Sequence, residues 1–181
     1  MARVILVTGG GRSGKSTFAQ KLAESLGGRR VYIATCPVID DETADRVRKH
    51  REARSASAWT TIEEPLHLAD ALRADGEHEV CLVDCLTLWV NNLLHEAGKE
   101  SRDVTEEEVG GLCGEILDSC RNRPGTVIFV TNEVGLGIIP DNPLARKYRD
   151  LAGRCNQVIA ARADTVVFMV SGIPVTIKGG F

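Results

Sequence analysis

Short apolar, β-branched runs alternate along the chain with longer stretches whose apolar residues recur at helical spacing. Residues 3–8 read as a strand, followed by a glycine-rich turn over 9–14 and a helix over 15–26. A second strand is expected over 31–34, then a polar helix over about 41–54. Further strands are expected over 59–62, 80–84 and 126–131, with helices over 66–74 and 86–94. Thr105 and Glu108 stand at capping-box spacing, so a helix begins there and ends before Pro124. Pro143 suits the first turn of a long helix reaching about residue 163. Thr165–Val170 and Ile173–Lys178 read as two strands separated by Ser171 and Gly172, a hairpin spacing.

Near-continuous apolar strands separated by helices mark a parallel sheet covered on both faces. The last strand, reached through two residues, must run antiparallel to its neighbour, because a parallel partner needs a long crossover. The expected fold is therefore α/β, with a mostly parallel sheet of about seven strands and a C-terminal antiparallel hairpin. No repeat, low-complexity tract or linker divides residues 1–181, so one domain is expected.

A chain of 181 residues with 43% hydrophobic and 26% charged positions buries a core without disulfide or metal, which excludes wholesale disorder. The net charge of −3 argues against broad nucleic-acid coating, and 4% aromatics are too few for a base-stacking platform. The longest apolar runs, such as 166–170, fall far short of a membrane span. A strand already under way at residue 4 leaves no room for a signal peptide, so a cytoplasmic protein is expected. Six cysteines, at 36, 81, 85, 113, 120 and 155, form no CxxC and read as reduced core thiols. The four histidines are scattered, and no structural zinc is indicated.

The glycine-rich turn carries the chemistry. Gly9, Gly10, Gly11, Arg12, Ser13, Gly14, Lys15 and Ser16 fit GxxxxGK[ST] in full, after a buried strand and at the start of a helix. Backbone N–H groups in such a turn form an anion cradle, and the helix dipole points at the same place. Lys15 is expected to reach the terminal phosphates, and the Ser16 hydroxyl to ligate Mg²⁺. Asp84 closes an apolar run and is the candidate acid for the Mg²⁺ shell; the alternative is a helix N-cap.

No NKxD occurs, which disfavours a regulatory GTPase. Asp150 and Gly153 match DxxG, but inside an expected helix. Length and charge favour a small-molecule kinase over motors and recombinases; a nucleotide-hydrolysing switch remains the rival from another class. Residues 45–54 hold five Lys or Arg around His50. One reading is a solvated face with i,i+4 ion pairs. The other is an electropositive wall over a polyphosphate with His50 as nucleophile.

Residues 9–16, 32–35, 40–42, 46–50, 84–87, 131–135, 149–154, 156–157 and 170–172, in this order, resemble the bifunctional adenosylcobinamide kinase/adenosylcobinamide-phosphate guanylyltransferases of cobalamin biosynthesis. The resemblance implies a RecA-like P-loop domain with two reactions. ATP or GTP phosphorylates the aminopropanol hydroxyl of adenosylcobinamide. A histidine, here His50, then takes GMP from GTP and passes it to the corrinoid phosphate, giving adenosylcobinamide-GDP. Some relatives carry two adjacent histidines at this point; this chain has Lys49 and His50. The resemblance also implies that Ala34, Thr35, Cys36, the segment Arg51, Glu52, Ala53 and Arg54, and the acids Glu63 and Asp84 approach GTP. It further implies a homo-oligomer, a trimer in the family.

Overall fold

The computed structural model describes residues 1–37 and 58–180. Seven strands form one sheet: β1 (Arg3–Gly9), β2 (Arg30–Ala34), β3 (Trp59–Glu63), β4 (Val80–Asp84), β5 (Thr126–Val130), β6 (Thr165–Val170) and β7 (Ile173–Lys178). Their order across the sheet is β3-β2-β4-β5-β1-β6-β7. All neighbours pair parallel except β6 and β7, the expected hairpin. Ser171 and Gly172 turn it with φ of 50° and 84°, the doubly positive φ that suits a two-residue hairpin to the strand twist.

The described helices are α1 (Lys15–Ser25), α2 (Leu68–Ala74), α3 (Leu86–Lys99), α4 (Glu106–Arg121) and α5 (Pro143–Arg162). They explain why the strands are apolar without interruption. Val4, Leu6, Cys81, Val83, Val127 and Phe129 face one cluster, with residues of α2 to α5. The alternate residues Ile5, Val7, Leu82, Ile128 and Val130 face another, covered by Ala19 and Ala23 of α1. A period of two with both faces buried keeps the interior positions of the central strands apolar and leaves polar residues to their ends. Each fully buried aliphatic side chain in these layers is worth about 1.5–3 kcal/mol.

Helix ends follow local chemistry. Thr105 Oγ1 accepts from Glu108 N at 3.1 Å, but the Glu108 carboxylate pairs with Arg102 at 2.7 Å, so the Glu108 side chain is engaged elsewhere. Asn142 Oδ1 accepts from Leu144 N and Ala145 N, with Pro143 in the first turn of α5. The DxxG match at 150–153 lies inside α5, where it forms no loop. Helix α3 runs on to Lys99, past the expected 86–94, through a last turn in which Lys99 bonds Glu96 at 2.8 Å.

Candidate nucleotide site

Strand register gathers residues that lie far apart in the chain. Glu63 pairs in register with Ala34, Ala34 with Asp84, Asp84 with Val130, and Val130 with Val7. They form one row at the C-terminal ends of the parallel strands, where open α/β sheets bind ligands. Glu63 and Asp84 stand two strand spacings apart, about 10 Å. The phosphate loop leaves β1 just beyond the row.

Two glycines of the loop are required by geometry. Gly9 has φ 146°, and a Cβ there would come 2.5 Å from the backbone oxygen of Met169 on β6. Gly14 has φ 90° and caps α1 without a side-chain acceptor, so the first-turn N–H groups of α1 lack a capping side chain. Gly172 N donates to Ser13 O at 3.1 Å, so the turn between β6 and β7 holds the loop from above. Gly10, Gly11 and Arg12 are exposed.

Lys15 is 7% exposed, and its Nζ donates to Gly10 O at 2.5 Å and Ser13 Oγ at 3.4 Å. Burial pulls its pKa below the ordinary lysine value, while Cys85 and Asp84 beside it push the pKa back up. Burial raises the Cys85 thiol to about 11, so it stays neutral at neutral pH. Ser16, half-buried, follows Lys15 in the first turn of α1.

Asp84 is not the cap of α3. That position is Cys85, which has no side-chain cap bond. Asp84 Oδ2 instead accepts from Tyr32 Oη at 3.0 Å. Tyr32 is 8% exposed and meets Trp59 edge-on at 6.3 Å. Its role was not read from the sequence, although a tyrosine inside an apolar strand signals a hydroxyl in need of a partner.

Thr35 is fully buried and clasps the start of α3. Its hydroxyl donates to Cys85 O at 2.8 Å and accepts from Cys85 N at 2.8 Å. Asn92 Nδ2 then donates to Thr35 O at 2.7 Å and Pro65 O at 3.0 Å, joining the ends of β2, β3 and β4. The Thr35 side chain is therefore committed to holding Asp84 and its neighbours. Cys36 is half-buried beyond it, and Glu63 is exposed at the end of β3. His50, Arg51, Glu52, Ala53 and Arg54 lie outside the described residues.

A parallel α/β sheet that delivers GxxxxGK[ST] into a helix N-terminus, with an acid at the end of a second strand, defines a P-loop nucleotide-binding protein. The chain belongs to the cobinamide kinase/cobinamide phosphate guanyltransferase family, whose model matches residues 5–177. It is 42% identical over 182 residues to the bifunctional adenosylcobalamin biosynthesis protein CobU of Escherichia coli, covering 97% of this chain and 99% of that one. It is 44% identical over 175 residues to the bifunctional adenosylcobalamin biosynthesis protein CobP of Pseudomonas aeruginosa, covering 96% of each. The CobU protein of Salmonella typhimurium matches at 42% over 97% of this chain. The resemblance read from the motif blocks is thereby established over nearly the full length.

Proposed function

We propose that this chain phosphorylates adenosylcobinamide and then transfers GMP from GTP to the product, giving adenosylcobinamide-GDP. The observation that carries the reading is the near-full-length similarity to bifunctional adenosylcobalamin biosynthesis proteins, supported by a phosphate loop that opens on an α1 N-terminus with no capping side chain. In the kinase step the loop N–H groups and Lys15 hold the phosphates of ATP or GTP, and charge-assisted contacts strengthen as negative charge shifts toward the leaving group.

In the second reaction His50 is the nucleophile. A ring nitrogen forms a bond to the α-phosphorus of GTP as the bond to the pyrophosphate oxygen breaks. The corrinoid phosphate then attacks the same phosphorus and releases His50. Arg51 and Arg54 are the cations assigned to the triphosphate there. Glu52 and Ala53 complete that segment, and Ala34, Thr35, Cys36 and Glu63 are assigned to the same GTP.

Ser16 and Asp84 are the protein oxygens we assign to Mg²⁺. Both are hard donors, and among the described residues no three His, Cys, Asp or Glu side chains converge into a metal cage. A cation held by only two protein oxygens and the nucleotide phosphates fits that donor set, and when bound it neutralises charge building on the phosphates.

No described helix is long and apolar enough to cross a membrane. We place the protein in the cytoplasm as a homotrimer acting on small molecules and not on nucleic acid. Five of the six cysteines are buried, and Cys36 is half-buried. Incubation with cobinamide and GTP tests the two activities together. Mass spectrometry is expected to show a gain of one phosphate, then of GMP. Phosphate gain alone would reduce the protein to a plain kinase, and nucleotide hydrolysis with unaltered cobinamide would favour a switch.

A further inference from the structure

We propose that Glu133 is the general base of the phosphoryl-transfer step, receiving the proton of the corrinoid hydroxyl. The inference rests on the kinase reading above and names a residue for it. Strand β5 lies between β4, which ends at Asp84, and β1, which leads into the phosphate loop. The chain leaving β5 must therefore cross the mouth of the site.

It does so in a fixed path. Thr131 N donates to Val7 O and Glu133 N to Gly9 O, both at 3.0 Å, so the backbone of Glu133 abuts the first glycine of the loop. From the other side Asn132 N donates to Thr87 Oγ1 at 2.9 Å, and Asn156 Nδ2 to Asn132 O at 3.0 Å. Thr131 Oγ1 donates to Asn156 Oδ1 at 2.7 Å in a buried pair. A base held from both flanks keeps the geometry that proton transfer needs. The half-buried Glu133 carboxylate accepts from Gly135 N through Oε1 at 2.8 Å, and the proposal assigns Oε2 to the proton.

The other acids of the row are placed differently. Asp84 bonds Tyr32 and sits beside Lys15, and Glu63 ends β3, at the opposite edge of the row from β1. The acceptor's side of the site is also marked. Immediately beyond Glu133, Leu136, Ile138 and Ile139 are 78%, 96% and 65% exposed. A run of bare aliphatic tips beginning three residues from the base suits the apolar face of a large macrocycle whose short arm carries the hydroxyl.

In the step, the hydroxyl oxygen forms a bond to the γ-phosphorus while the bond from that phosphorus to the β,γ-bridging oxygen breaks. The nucleoside diphosphate leaves with the electron pair, and the hydroxyl proton passes to Glu133 Oε2.

Glu133→Gln tests this, because the amide oxygen still accepts from Gly135 N. The kcat for cobinamide phosphorylation is expected to fall about 100-fold or more, with the nucleotide KM within about threefold of wild type. Wild-type kcat is expected to fall at acid pH as the base is protonated, and this fall is expected to vanish in the variant. Glu133→Asp, with a carboxylate one methylene shorter, is expected to keep the acid limb at intermediate kcat. Ile138→Asp is expected to raise the cobinamide KM severalfold with the nucleotide KM unchanged. A Glu133→Gln enzyme with kcat within about threefold and its acid limb intact overturns the assignment. An unchanged cobinamide KM in Ile138→Asp counts against it, since it removes the acceptor from this side. Wild-type protein that never phosphorylates cobinamide refutes the kinase reading itself.

Discussion

Burial works against the Lys15 ammonium, and Asp84 works for it. Its Nζ bonds Gly10 O and Ser13 Oγ inside its own loop. A triphosphate would give the charge stronger partners than a carbonyl and a hydroxyl. Lys15→Ala is therefore expected to lower both cobinamide phosphorylation and GMP transfer by roughly 100-fold or more, several kcal/mol of transition-state stabilisation. Steady-state rates on protein with an unchanged circular dichroism spectrum check this, and a near-normal kinase rate would remove the loop from the mechanism. Asp84→Asn keeps the shape and an acceptor for Tyr32 but loses the charge. Turnover is expected to fall and the Mg²⁺ requirement to rise, with nucleotide affinity less affected. Magnesium titrations of both reactions measure it, and unchanged curves would strip Asp84 of the metal role.

At the scale of elements, the phosphate loop is held by its neighbours: β6 crowds Gly9, the hairpin turn binds Ser13 O, and the chain after β5 binds Gly9 O. The Thr35 clasp does the same for the start of α3. Thr35→Val replaces the hydroxyl by a methyl of nearly the same volume and removes the acceptor of the buried Cys85 N, while Cys85 O keeps Trp89 N. A loss of about 1–3 kcal/mol is expected, read as a lower melting temperature, with weaker nucleotide binding because Asp84 is the next residue. Unaltered melting would make the clasp incidental. Much of this frame was legible beforehand. Uninterrupted apolar strands implied two covered faces, the Ser171 and Gly172 spacing implied the hairpin, and Pro143 marked the start of α5. Contacts across long separations were not. Nothing local to Thr35 tells that it bonds Cys85, fifty positions on. The insertion of β5 between β4 and β1, which brings Glu133 to the loop, belongs to strand order, and alternation carries no information about order. At the opposite end of the sheet Arg123 bonds Asp75 at 2.9 Å in a buried pair that neither residue's surroundings in the sequence announced.

For the whole molecule, two reactions are proposed for one chain of 181 residues, and the outermost strand β7 is the surface we assign to the proposed homo-oligomer. Ile173, Val175 and Ile177 are 65%, 45% and 62% exposed on the outermost strand, an edge that soluble proteins rarely leave bare. Light scattering is expected to return a mass of about three chains, as the family resemblance implies, and a single-chain mass would contradict that. The proposed second reaction depends on covalent transfer of GMP through His50. It is tested most directly by incubating the protein with Mg²⁺ and GTP labelled at the α- or the γ-phosphate, then denaturing it and counting retained label. The α-label is expected to stay and the γ-label to leave within pyrophosphate. The adduct should be labile to acid and stable to alkali, as a phosphoramidate is, and absent from His50→Ala, which should still phosphorylate cobinamide. An α-labelled adduct that persists in folded His50→Ala, or no adduct in wild type that binds GTP, would contradict it.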